Sequence, residues 1–143
     1  MKKIVIGSDH AGYYLKQFLY NYLQTKGYEI INLGTNSPES VDYPIYGKKI
    51  GEWVTTGKAD LGIAICGSGI GIGISANKIP GCRAAICSDP YSAKMSRLHN
   101  NANVLAIGAR VVGEDLAKMI VDTWLNSEFL GGRHEQRVQM IEN

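Results

Sequence analysis

The chain has 143 residues, of which 45% are apolar and 20% charged, which is one domain's length and excludes intrinsic disorder. Fifteen Lys and Arg against thirteen Asp and Glu leave a formal charge of +2, too small a surplus to attract nucleic acid or an anionic membrane surface. No apolar run approaches the roughly 18 residues of a membrane span, and Asp9 and His10 interrupt the opening Met1–Ile6 stretch before it resembles a signal peptide.

Lys3 to Gly7 is β-branched and apolar, as a strand buried on both faces should be. Leu15, Phe18, Leu19, Tyr22 and Leu23 follow at helical spacing, and Gly27 stops that helix. Tyr28 to Asn32 reads as a second strand, and Asn36-Ser37-Pro38 as a loop. Pro44 opens a helix carrying Ile50, Trp53 and Val54 that ends at Gly57. Leu61 to Cys66 is a third strand. The glycine-rich turn Gly67-Ser68-Gly69-Ile70-Gly71 follows it into a short helix ending near Lys78. Arg83 to Cys87 is a fourth strand, and Ser88-Asp89-Pro90 caps a helix running to about His99. Val104 to Gly108 is a fifth strand. Gly113 leads into a long helix with Leu116, Met119, Ile120 and Trp124 expected on one apolar face, and Val138 and Ile141 offer packing residues in the tail. There is no internal repeat and no compositional boundary, so residues 1–143 are expected to form one domain.

Five strands alternating with helices predict an α/β domain: a three-layer α/β/α sandwich around a five-stranded parallel, Rossmann-like sheet. Ligands of such sheets bind beyond the carboxyl ends of the strands. Ser8-Asp9-His10, Cys66 to Gly69, Ser88-Asp89 and Ala109-Arg110 occupy those positions.

Cys66 is the sharpest chemical candidate. It ends a strand just before a glycine turn at a helix N-terminus, where backbone N–H groups and the helix dipole favour a thiolate able to act as nucleophile or base. The plainer alternative is a small apolar residue closing a strand. Cys82 and Cys87 lack such a turn and read as core. An odd number of cysteines suits free thiols in a reducing, cytoplasmic compartment.

The turn from Gly67 to Gly73 suits an anion. It is not a Walker sequence, and it meets the dinucleotide pattern only loosely, as Gly71-x-Gly73-x-x-Ala76 with Asp89 beyond. His10 and His99 are acid–base candidates. Arg133 and Arg137, four apart, would share a helix face and could grip a phosphate, or could form a solvated basic face. No pair of histidines or cysteines has metal-ligand spacing, so neither a metal nor an organic cofactor is expected. These features favour proton transfer on one small phosphorylated substrate.

The order Gly7-Ser8-Asp9-His10-Ala11-Gly12, Asp42-Tyr43-Pro44, Cys66-Gly67-Ser68-Gly69-Ile70-Gly71, Ala76-Asn77-Lys78, Arg83-Ala84, His99-Asn100-Asn101, Gly108-Ala109-Arg110 and Gly131-Gly132-Arg133-His134 resembles the ribose-5-phosphate isomerase type B family over essentially the whole chain. The resemblance implies an aldose–ketose isomerase of the pentose phosphate route that works through a cis-enediol. It places Cys66 as the base, Ser68 and the amides from Ser68 to Gly71 around the enediolate, and His99 as the acid that opens the furanose ring. Asp9 would orient sugar hydroxyls. His10, Arg133 and Arg137 would hold the phosphate, with Gly67, Gly69, Ile70, Gly71, Asn100 and Arg110 as further contacts and Tyr43 lining the pocket. It implies a homodimer or homotetramer with shared sites, in which His99, Asn100 and Arg110 come from the neighbour. Serine at 68, where the family also uses threonine, keeps the hydroxyl but frees its rotamer. Allose 6-phosphate or galactose 6-phosphate is the alternative substrate. A phosphate- or nucleotide-binding module with an inert Cys66 is the alternative of another class.

Overall fold

The computed structural model describes residues 2–143. Five strands, β1 (Lys3–Ser8), β2 (Glu29–Asn32), β3 (Leu61–Cys66), β4 (Ala84–Ile86) and β5 (Val104–Gly108), form one parallel sheet in the order β2-β1-β3-β5-β4. Six helices surround it: α1 (Tyr13–Thr25), α2 (Tyr43–Thr55), α3 (Ile70–Asn77), α4 (Pro90–Leu98), α5 (Glu114–Leu125) and α6 (Arg133–Glu142). The expected three-layer sandwich is present. The sequence reading did not supply the strand order, and β4 is shorter than the Arg83–Cys87 run suggested.

The layering follows from the handedness of the crossovers. A parallel β–α–β connection is right-handed, so the direction of travel along the sheet selects the face on which its helix lies. The steps β1 to β2 and β4 to β5 run one way. Their helices α1 and α4, joined by α5, cover one face with Ile4, Ile6, Ile63, Ile65, Leu105 and Ile107 beneath them. The steps β2 to β3 and β3 to β4 run the other way, and α2 and α3 cover the opposite face over Val5, Ala64, Cys66 and Ala106. β3 and β5 are buried along their whole length, which explains their unbroken apolar runs.

α5 turns out to be rotated from the expected face. Ala117, Ile120, Val121, Trp124 and Leu125 are buried, whereas Leu116 and Met119 are exposed. Large side chains suggested the wrong stripe, because the close approach to the sheet is made at Ala117. Ile141 is likewise exposed, and Val138 alone anchors the middle of α6.

One buried charge is invisible to helical periodicity. Lys16 is fully enclosed on the inner face of α1. Its Nζ donates to Gln17 Oε1 (2.8 Å) and Asn32 Oδ1 (3.0 Å), and no carboxylate joins them. The same Asn32 oxygen accepts the Gly34 N–H (2.9 Å), and the Gly34 carbonyl accepts the Ser8 N–H (2.8 Å). Burial lowers the Lys16 pKa to about 8 from an ordinary 10.5. Below that value the amine is charged in both folded and unfolded states. Between it and the unfolded value the folded chain loses the proton first, so the unfolded chain binds more protons and stability rises with pH. Urea unfolding from pH 7 to 10 should therefore show the parent gaining stability relative to Lys16→Met above pH 8. A flat difference across that window would contradict the desolvation of Lys16.

Candidate active site

Reversal of direction at β1 opens a crevice between the carboxyl ends of β1 and β3, and backbone hydrogen bonds knit its floor. Asp9 N donates to Ile65 O (3.2 Å), Ala109 N to Cys66 O (2.9 Å) and Arg110 N to Gly67 O (3.0 Å), so the ends of β1, β3 and β5 are held as one piece. A cleft of about 760 Å³ lies above them. Asp9, His10, Tyr43, Cys66, Gly67, Ser68, Ile70, Gly71 and Arg110 are among its walls.

Two glycines let the Cys66 turn lie flat on the sheet. Gly69 has φ +81°, and a Cβ there would stand 2.8 Å from the Ile107 carbonyl carbon. A Cβ on Gly108 would meet the Ser68 carbonyl at 2.6 Å. In this close-packed turn the Gly69 N–H donates to Cys66 Sγ (3.1 Å), and the Ile70 N–H donates to Ser68 Oγ (3.1 Å). The Ser68 hydroxyl accepts there with a lone pair, so its own proton remains available to a ligand. Helix α3 begins at Ile70 and points its amide end at the cleft.

The other walls are held as firmly. Asp9 is buried, and its Oδ1 accepts the Gly12 N–H (3.1 Å) at the entry to α1. Its second oxygen makes no side-chain bond to a described residue. His10 Nδ1 lies 3.1 Å from Val41 N and 3.2 Å from Val41 O, so the backbone at Val41 holds the ring and leaves Nε2 free of that contact. Arg110 is exposed and packs over Gly67, 3.3 Å from where a Cβ would stand. It belongs to the same chain's cleft as Cys66. Arg110 is the second residue beyond β5, whose carboxyl end closes this edge of the sheet.

His99 and Asn100 lie elsewhere. They end α4 and lead into the amino end of β5, so the length of that strand, about 16 Å for five residues, separates them from the cleft edge. The tail joins them there. The His99 and His134 rings stack with centroids 4.2 Å apart and planes 8° from parallel, and Leu130 N donates to Leu98 O (3.1 Å). The tail is indeed a helix, α6, and its first residue Arg133 and Arg137 share an exposed face. Among the described residues neither arginine pairs with a carboxylate. Burial lowers the His134 pKa, and His99, Arg133 and Arg137 push it the same way. The expected site residues thus fall into two groups at opposite edges of the sheet. In the sequence His134 stands out only as the end of Gly131-Gly132-Arg133-His134. Its stacking on His99 depends on the approach of α6 to α4, for which no local pattern exists.

Two features of the dinucleotide alternative have structural tasks. Asp89 caps α4, accepting from Ser92 N (2.7 Å) and Ser92 Oγ (2.8 Å). Gly73 lets α3 pack on β4, where a Cβ would meet Ile86 at 2.6 Å. Among the described residues no group of three or more metal-ligating side chains converges, and no helix is long and apolar enough to cross a membrane.

Comparison with known proteins gives a consistent result. A profile described as Ribose/Galactose Isomerase matches residues 4–141. Ribose-5-phosphate isomerase B of Escherichia coli K12 is 54% identical over 141 residues, covering 99% of this chain and 95% of the relative. D-erythrulose-4-phosphate isomerase of Pectobacterium atrosepticum is 43% identical over 99% of this chain and 93% of its own. The structure of Clostridium thermocellum ribose-5-phosphate isomerase B superposes with a TM-score of 0.97 at 58% identity, covering 98% of this chain and 95% of that one.

The three thiols should differ in reactivity. Burial pushes Cys82 up to about 12 and Cys87 up to about 11, so neither offers a thiolate near neutral pH. Iodoacetamide at pH 8 followed by peptide mapping should label Cys66, which lines the cleft, and spare the other two. Labelling of Cys82 or Cys87 ahead of Cys66 would contradict this assignment.

Proposed function

This chain belongs to the ribose/galactose isomerase family, and we propose that it interconverts ribose 5-phosphate and ribulose 5-phosphate by proton transfer, without metal or organic cofactor. One observation supports this reading above the others. The Cys66 sulfur is held by the Gly69 N–H on the floor of a cleft that also presents Asp9, His10, Ser68 and Arg110.

The reaction divides among these residues. His99 protonates the ring oxygen as the C1–O bond of the furanose breaks and the C1 hydroxyl gives up its proton. The Cys66 thiolate removes the C2 proton of the open aldose, leaving a cis-enediolate, and returns that proton to C1 while the O2 proton passes to O1 by way of the Ser68 hydroxyl, so that C2 becomes the ketose carbonyl. The Ser68 hydroxyl and the amides at the start of α3 face the developing oxyanion, where preorganised donors are worth most. Asp9 orients the sugar hydroxyls through the oxygen that Gly12 does not occupy. His10, Arg110, Arg133 and Arg137 bind the phosphate, and Asn100 adds a substrate contact.

Such a site needs two chains. Cys66 and His99 lie at opposite edges of the sheet, whereas a two-fold dimer lays one edge of each chain against the other edge of its partner, twice. Because His99, His134 and α6 are fastened together, the partner supplies Arg133 and Arg137 along with His99 and Asn100. Ile70, Ile74 and Val111 are exposed apolar residues on the walls of the Cys66 cleft, a surface suited to being covered. A cytoplasmic location fits the free thiols. The relative named for D-erythrulose 4-phosphate favours a second reading, in which the same chemistry acts on a sugar phosphate of different length. Six-carbon phosphates belong to that reading too.

Two measurements test these assignments. Ribulose 5-phosphate formation, followed with a chelator present, should fall at least ~100-fold in Cys66→Ala, the range expected for removal of a general base. Equal turnover of the two proteins would remove Cys66 from the mechanism, and an inactive parent would redirect the search to four- and six-carbon phosphates. Separately, Cys66→Ala and His99→Asn chains unfolded and refolded together should recover about a quarter of parental activity, because half the dimers are mixed and one of their two sites is intact. No recovery would refute the shared site.

A further inference from the structure

At the amino edge of the sheet, Arg83 joins two elements that meet nowhere else through a side-chain hydrogen bond. It lies just before β4 and is mostly buried, with a side chain 19% exposed. Its Nε and Nη2 both donate to the Asn101 carbonyl (3.2 and 3.0 Å). Its Nη1 donates to Glu142 Oε1 at 2.8 Å, an ion pair with the last turn of α6. Among the described residues this is the only side-chain hydrogen bond between α6 and the rest of the chain.

Both contacts fall on segments that carry reaction groups. Asn101 is two residues beyond His99 and has φ +47°, a left-handed conformation rare outside glycine. Arg97 holds the same turn from the other side, with Nη1 donating to Asn101 Oδ1 (3.1 Å) and the Ala102 carbonyl (2.6 Å). The turn that aims His99 and Asn100 is therefore held by two guanidinium groups in addition to the backbone bonds at its ends, His99 N to Met95 O and Ala102 N to Ser96 O, both 2.9 Å. Helix α6 is fastened at its amino end by the His134–His99 stack and at its carboxyl end by Glu142. Two attachment points set the direction of a short helix, and hence the place of Arg133 and Arg137. A planar guanidinium with five donors in fixed geometry can serve both segments at once, which lysine cannot.

We propose that Arg83 is a positioning residue for the isomerase reaction, holding His99 through Asn101 and the Arg133–Arg137 phosphate grip through Glu142 at a fixed separation. The proposal rests on the roles assigned above to His99, Arg133 and Arg137. A furanose phosphate has its ring oxygen and phosphate at a set distance, so the ring-opening acid and the phosphate grip must keep theirs. Misplacement by about 1 Å is enough to cost turnover.

A double-mutant cycle distinguishes this role from general support of the fold. Arg83→Gln should lower kcat for ribose 5-phosphate roughly tenfold in the parent and by less than about twofold in a His99→Asn background, because a residue acting through His99 has nothing left to position. Glu142→Gln leaves the bonds to Asn101 in place. It should raise KM several-fold with little change in kcat, and it remains informative if Arg83→Gln folds poorly. Additive losses in the cycle would overturn the proposal, as would parental kinetics in Arg83→Gln or an effect of Glu142→Gln on kcat instead of KM. His99→Asn turning over at the parental rate would show that the ring-opening assignment itself is wrong. An impaired His99→Asn with additive losses would show that only the Arg83 role is wrong.

Discussion

The right-handed crossover governs the rest of this molecule. Given that rule, each step along the sheet selects its own face, and a chain that leaves β1 in one direction and later enters β3 on the other side must split its helices about that point. The split leaves a crevice that no helix covers, and every strand delivers its carboxyl end to the same edge. Asp9, Cys66 and Arg110 come from three separate strands. They meet because each lies at, or within two residues beyond, the carboxyl end of a strand in one parallel sheet. Hydrogen bonds among Asp9, Ile65, Cys66, Gly67, Ala109 and Arg110 then turn three loose ends into a rigid floor.

The same geometry limits what one chain can do. A helix returning from a carboxyl end must finish at the amino edge, so α4 carries His99 a full strand length from the thiol. A sugar phosphate needs an acid, a base and a phosphate grip at once. Under the roles proposed above they fall at opposite edges of one chain, which is why the proposed site draws on two chains. Arg133 and Arg137 are exposed, and among the described residues neither meets a carboxylate, which fits the phosphate grip proposed above.

Much of this was legible in the amino-acid order, and the reasons differ by residue. β3 and β5 were readable to the residue because both of their faces are buried and they are bounded by glycine or polar punctuation. Cys66 was readable because a strand end followed by a glycine turn is a local pattern. The rotation of α5 was not, since helical spacing admits neighbouring stripes and only contact with the sheet selects Ala117 over Leu116. Lys16 shows a further limit. Its amphipathic position suggests a solvated cation, yet Gln17 and Asn32 receive it inside, and Asn32 comes from a different strand.

Arg83 and Lys16 illustrate why the residues around a site are harder to read than the residues in it. A reacting group must have a particular chemistry, which narrows it to cysteine, histidine, serine or a carboxylate at a strand end. A supporting group needs only a donor of the right reach, so its identity is set by the gap it spans. Arg83 spans a gap between a turn 18 residues away, just before β5, and the C-terminal helix, 59 residues away at Glu142. The guanidinium fork has the reach for both, and its charge adds an ion pair at the second. In the proposed reading the acid and the phosphate grip ride on separate segments, and Arg83 is the side chain that hydrogen-bonds both segments, at Asn101 and at Glu142.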